Sequence, residues 1–101
     1  MRESGPINFD GWSGDNLEHL IGIVLTWLVT NNKIQDNKVP WAPQSSYKRW
    51  FIVKGEPKHK PPDERRFFKP VTVGNFTIEA HWARRIGLER LEGLFEHLGI
   101  E

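Results

Sequence analysis

Between Leu17 and Val29 the chain reads Leu-Glu-His-Leu-Ile-Gly-Ile-Val-Leu-Thr-Trp-Leu-Val, and only Glu18, His19 and Thr26 in it are polar. A helix with so little polar surface must be covered on most of its sides. It is also shorter than the roughly 20 apolar residues that a bilayer crossing takes. The pattern therefore predicts a central helix wrapped by the rest of the chain, with a self-association surface as the alternative. Asp15 and Glu18 have the spacing of a capping box, which opens the helix at about Asn16. The β-branched residues in the run leave part of it open to a strand reading.

The remaining pattern supplies a cover. Residues 1–14 are polar and rich in Gly and Ser; they read as an N-terminal arm with Ile7, Phe9 and Trp12 as docking points. Residues 31–46 form a long connection marked by Pro40 and Pro43, with Trp41 between them placed to pin it to the body. Residues 47–53 are aromatic and β-branched and predict a strand. Gly55, Pro57, Pro61 and Pro62 then break the chain into a loop, and a second strand runs from Phe67 to Val73. Gly74-Asn75 separates it from the alternating Phe76-Thr77-Ile78, a two-residue hairpin signal. A second helix starts at Ala80 or Ala83 and ends at Leu98, where Gly99 is placed to stop it. Ala83, Gly87, Leu91, Leu94 and Leu98 share its apolar face. Gly87 and Gly93 each weaken a helix by about 1 kcal/mol against Ala, which close packing against the sheet or the first helix would explain. The prediction is one α+β domain in two layers: helix, three-stranded antiparallel sheet, helix. Its core spans residues 15–98, and a basic, proline-rich loop occupies 55–66.

Composition narrows the class. At 101 residues with 38 % hydrophobic and 27 % charged content, the chain suits one globular domain. It has no cysteine, which removes disulfides and thiolate chemistry. Its first residues lack the shape of a signal peptide. A cytoplasmic setting without a membrane partner is the expectation. Five tryptophans must partly serve the core, and any that is exposed becomes a candidate contact residue.

Charge changes the picture more. Residues 48–69 hold Lys48, Arg49, Lys54, Lys58, Lys60, Arg65, Arg66 and Lys69 against Glu56, Asp63 and Glu64, a local balance of +5 in a chain of net charge +1. Tyr47, Trp50, Phe51, Phe67 and Phe68 lie at or within that segment. Cations attract phosphates without reading sequence, and flat rings stack on bases. The plainer reading is a solvated basic loop whose aromatics point inward. Arg84 and Arg85 stand near the start of the second helix, where backbone N–H groups favour phosphate; ordinary pairing with Glu89 or Glu92 competes with that role.

Signals for catalysis are poor. His19, His59, His81 and His97 offer no i, i+3 or i+4 pair, and no phosphate-cradling loop or nucleophile elbow occurs. The expectation is a non-enzymatic domain with no metal and no cofactor.

Helix, three strands and helix, with Gly55-Glu56-Pro57-Lys58-His59 between the first two strands and Ala83-Arg84-Arg85 at the last helix, resembles the double-stranded-RNA-binding domain family. The resemblance implies His59 entering one minor groove, Arg84 and Arg85 holding phosphates across the major groove, and residues 15–19 meeting a second minor groove. The chain departs from that pattern in its long connection before the first strand, its apolar first helix and its last helix. A competing reading is a protein-interaction module or inhibitor, of the kind carried by phages and mobile elements. It would set the basic loop against an acidic protein surface, with Trp41, Trp50 or Phe68 as anchors. A homodimer through the first helix belongs to the same class. Nucleic acid, RNA before DNA, is the first expectation.

Overall fold

Asn16, and not the Asp15 of the expected capping box, caps the first helix. In the computed structural model, which describes residues 6–44, 49–59 and 65–100, α1 runs Leu17–Thr30. Asn16 is extended at φ −156, and its Oδ1 accepts the His19 N–H at 2.8 Å. The preceding Asp15 instead donates its N–H to His19 Nδ1 at 3.0 Å. Either residue type can cap; the one with an extended backbone and a reachable N–H does so. Leu20, Ile21, Val24, Leu25 and Leu28 are fully buried. Each such side chain contributes about 1.5–3 kcal/mol relative to exposure. All of this apolar surface is consumed inside the molecule.

The polar N-terminal segment is more than an arm. Ile7–Phe9 (β1) and Trp12–Gly14 (β2) form an antiparallel hairpin that places Phe9 opposite Trp12. Asp10 and Gly11 turn it with φ of 48° and 93°. Positive φ at both central residues is what a type I′ turn requires, and it matches the twist of two antiparallel strands. Ile7 is buried. Phe9 meets Phe95 edge-on at 5.2 Å, and Trp12 packs on Trp27 at 5.3 Å. These aromatic contacts fix the hairpin to α1 and to the second helix.

Three strands make the main sheet: Ile52–Lys54 (β3), Pro70–Val73 (β4) and Phe76–Glu79 (β5). The order is β3-β5-β4, all antiparallel, so β5 is central and β3 does not pair with β4. The Gly74-Asn75 hairpin forms as predicted, with Val73 opposite Phe76. Both other strands are shorter than predicted, for identifiable reasons. Among the described residues one bridge, Trp41 to Ile52, extends the β3 edge, with Phe51 N–H donating to Trp41 O at 2.8 Å; residues 47 and 48 of the predicted strand lie outside them. Residues 67–69 turn their N–H groups to Pro57 O and to the Glu79 carboxylate, so no ladder forms before Pro70.

Ile52, Ile78 and Val71 stand side by side on the face that α1 covers, with Val71 against Gly22. Strand alternation puts Val53, Thr77 and Glu79 on the other face. The second helix, α2, runs Arg84–Leu98, with Ala83 at its N-cap and left-handed Gly99 (φ 77°) at its end. Gly87 lies so close to α1 that a Cβ there would run into the Leu17 side chain, and one at Gly93 would come within 3.2 Å of the Trp41 ring. Trp41 also stacks on His97 at 5.2 Å, which ties the proline-marked connection to α2. Among the described residues no helix is long and apolar enough to cross a membrane.

Candidate functional site

The basic loop is clasped at its base. His59 N–H donates to Arg65 O and Phe67 N–H to Pro57 O, both at 2.8 Å, and Lys58 bridges Arg66. Lys48 and Lys60 fall outside the described residues. His59 turns inward and is only 8 % exposed, with its ring 4.6 Å from Phe67. Its Nδ1 accepts the Trp50 N–H at 3.0 Å. A backbone amide can only donate, so Nδ1 presents its lone pair and the ring proton sits on Nε2. That nitrogen stands 3.5 Å from Glu79 Oε2.

Glu79 is the centre of this arrangement, 1 % exposed at the end of β5. Its Oε2 accepts the Phe68 N–H at 2.8 Å, and Oε1 accepts those of Lys69 at 2.8 Å and His81 at 3.2 Å. A carboxylate this far from water is tolerable only when donors replace its hydration. Here the donors come from both sides of the β4–β5 hairpin, and His59 extends the network to Trp50. The Glu79 carbonyl accepts Trp82 Nε1–H at 2.7 Å. The Trp82 ring in turn lies under the guanidinium groups of Arg49 (5.9 Å) and Arg90 (4.9 Å), a cation–π arrangement.

Around this pair opens a cavity of about 280 Å³. Arg49, Arg65, Arg66, Phe68 and His81 line it, together with the buried His59 and Glu79. Phe68 is 72 % exposed, the most exposed large apolar side chain among the described residues. Its ring lies 4.3 Å from that of His81. Guanidinium groups beside open rings can hold an anion and stack a planar group at once. His59 has both ring nitrogens committed, so it positions the backbone around the cavity instead of presenting a surface.

The other predicted residues go elsewhere. Lys54 bonds Asp36 at 2.9 Å, Lys58 faces Glu56 at 3.8 Å, and Lys69 is exposed without lining the cavity. Arg84 donates to Pro6 O at 2.7 Å and Arg85 stands 3.9 Å from Glu89. Arg85 also borders a separate cleft of about 510 Å³, which has an apolar lining of Phe9, Leu88 and Phe95 and four acidic residues, Asp10, Glu89, Glu92 and Glu96. Neither Arg84 nor Arg85 is among the described residues that line the arginine cavity. Trp41 and Trp50 are half-buried, so of the three proposed anchors Phe68 is the open one. Glu79 and His81 were not singled out by sequence. Their one signal is an acid closing the alternating run Phe76-Thr77-Ile78, followed two residues later by a histidine. Among the described residues no three His, Asp or Glu side chains converge as metal ligands.

Comparison with protein-family profiles, curated proteins and solved structures yields no significant match for this chain, so its site is interpreted from its own geometry.

Proposed function

We propose that this chain is a nucleic-acid-binding domain whose contact surface is the arginine-lined cavity beside Phe68. The observation that carries the reading is the meeting of Arg49, Arg65 and Arg66 with an exposed ring pair, Phe68 on His81, around one concavity. Guanidinium groups match phosphate oxygens with paired N–H donors, and the rings supply contact area that is indifferent to sequence. Binding needs no catalytic group and no cofactor. A fluorescence anisotropy titration with labelled RNA and DNA at low and near-physiological salt tests it. Submicromolar binding that weakens as salt rises, and that is lost in the double variant Arg49→Ala/Arg66→Ala, supports the reading; absence of binding at low salt ends it.

The same exposed Phe68 favours a second reading, a protein-interaction module or inhibitor that sets the basic loop on an acidic partner. An interface anchored by a buried aromatic ring loses little affinity with salt, whereas phosphate binding loses much. Salt dependence therefore separates the two.

A further inference from the structure

We infer that the cavity takes an unpaired nucleotide of a single strand and not the surface of a duplex. The inference rests on the nucleic-acid reading of the same cavity. Phe68 is open to solvent at 72 % and leans on His81 at 4.3 Å, right beside the guanidinium groups. A ring platform next to phosphate-binding groups is useful to a base with a free face. Paired and stacked bases have none, and sequence-tolerant stacking is the way single strands are held. The concavity, about 280 Å³, also has room for a whole planar group and its phosphate, which a duplex backbone cannot insert.

Duplex recognition makes a different demand. It needs cations spread far enough to meet phosphates on both sides of a groove. Among the described residues, three that the sequence offers for such a second patch have partners of their own: Arg84 donates to Pro6 O, Arg85 stands 3.9 Å from Glu89, and Lys54 bonds Asp36. Arg85 moreover borders the cleft carrying Asp10, Glu89, Glu92 and Glu96, which repels phosphate. What the cavity offers is one compact site with a stacking surface.

The test compares short labelled single strands of RNA and of DNA with the matching duplexes, using the whole chain and the variants Phe68→Ala and Phe68→Trp. Single strands should bind at least about tenfold tighter than duplexes, since one base–aromatic contact is worth that much. Phe68→Ala should lose about tenfold for single strands, so that their preference over duplexes disappears, and keep the wild-type circular dichroism spectrum; Phe68→Trp should retain the affinity. A duplex bound as tightly as a single strand, or single-strand affinity indifferent to Phe68→Ala, overturns the inference while leaving the nucleic-acid reading standing. Failure of every nucleic acid to bind overturns both.

Discussion

Glu79 shows how a single buried side chain can hold together the backbone around a cavity. Both carboxylate oxygens accept backbone N–H groups, from Phe68 on one side and from Lys69 and His81 on the other. Glu79→Gln keeps the size but aims an NH₂ donor at N–H donors. The loss should be about 2–4 kcal/mol, since a buried network missing one acceptor leaves its partners unsatisfied. Urea unfolding measures it, and an unchanged midpoint would refute the role. Phe68→Ala should by contrast leave stability within about 0.5 kcal/mol, as exposed substitutions do. Nothing in the sequence marked Glu79 for this duty. An acid at the end of a short strand reads as solvent-facing, and its donors arrive from residues 68, 69 and 81 only once β4 and β5 have paired. Phe68 was legible because an aromatic inside a basic run is a visible anomaly; that Trp41 and Trp50 would be half-covered was not, since both sit in the same kind of context.

At the level of elements, local signals were read well and long-range ones poorly. Gly74-Asn75 and Gly99 act within a few residues of themselves, and both do what they predict. Asp10-Gly11, flanked by Phe9 and Trp12, carries an equally good hairpin signal, but the surrounding polar residues masked it. The β3-β5-β4 order could not be read, because pairing Ile52 with Ile78 depends on closing a long connection rather than on any neighbouring residue. The hairpin's seat on α1 gives a prediction. A Cβ on Gly14 would stand 2.7 Å from the backbone nitrogen of Leu20, an atom held in the first turn of the helix. Gly14→Ala should cost about 1–3 kcal/mol through this overpacking. Loss of amide-exchange protection in residues 7–14 ahead of the rest of the chain would locate the damage. Leu25→Asp, at the fully buried middle of α1, should cost more than about 3 kcal/mol and unfold the domain. A folded variant of normal stability would show that the helix is not the core.

For the whole molecule the decisive fact is how its apolar and cationic surfaces are spent. Leu20, Ile21, Val24, Leu25 and Leu28 are buried inside the molecule, where α1 meets the hairpin, the sheet and α2, while Ile23, Trp27 and Val29 are half-buried. The chain should therefore sediment as a monomer of 11.8 kDa, and a concentration-dependent dimer would revive a self-association role. With three arginines at the cavity, binding there should release few counterions. The slope of log K against log salt for single strands should lie near −2, from about −0.7 per phosphate neutralised; a much steeper slope would mean a wider contact surface. One last consequence follows from the bond between His59 N–H and Arg65 O. It ties the two described arms of the basic loop directly to each other, so Arg65 is held beside His59 by that bond and not only through the chain that connects them. Ring-closure entropy grows only logarithmically, about 0.6 kcal/mol for each doubling of length. Lengthening the chain between His59 and Arg65 should accordingly cost under about 1 kcal/mol in urea unfolding, which would make the loop a splice point for a fluorophore or a tag.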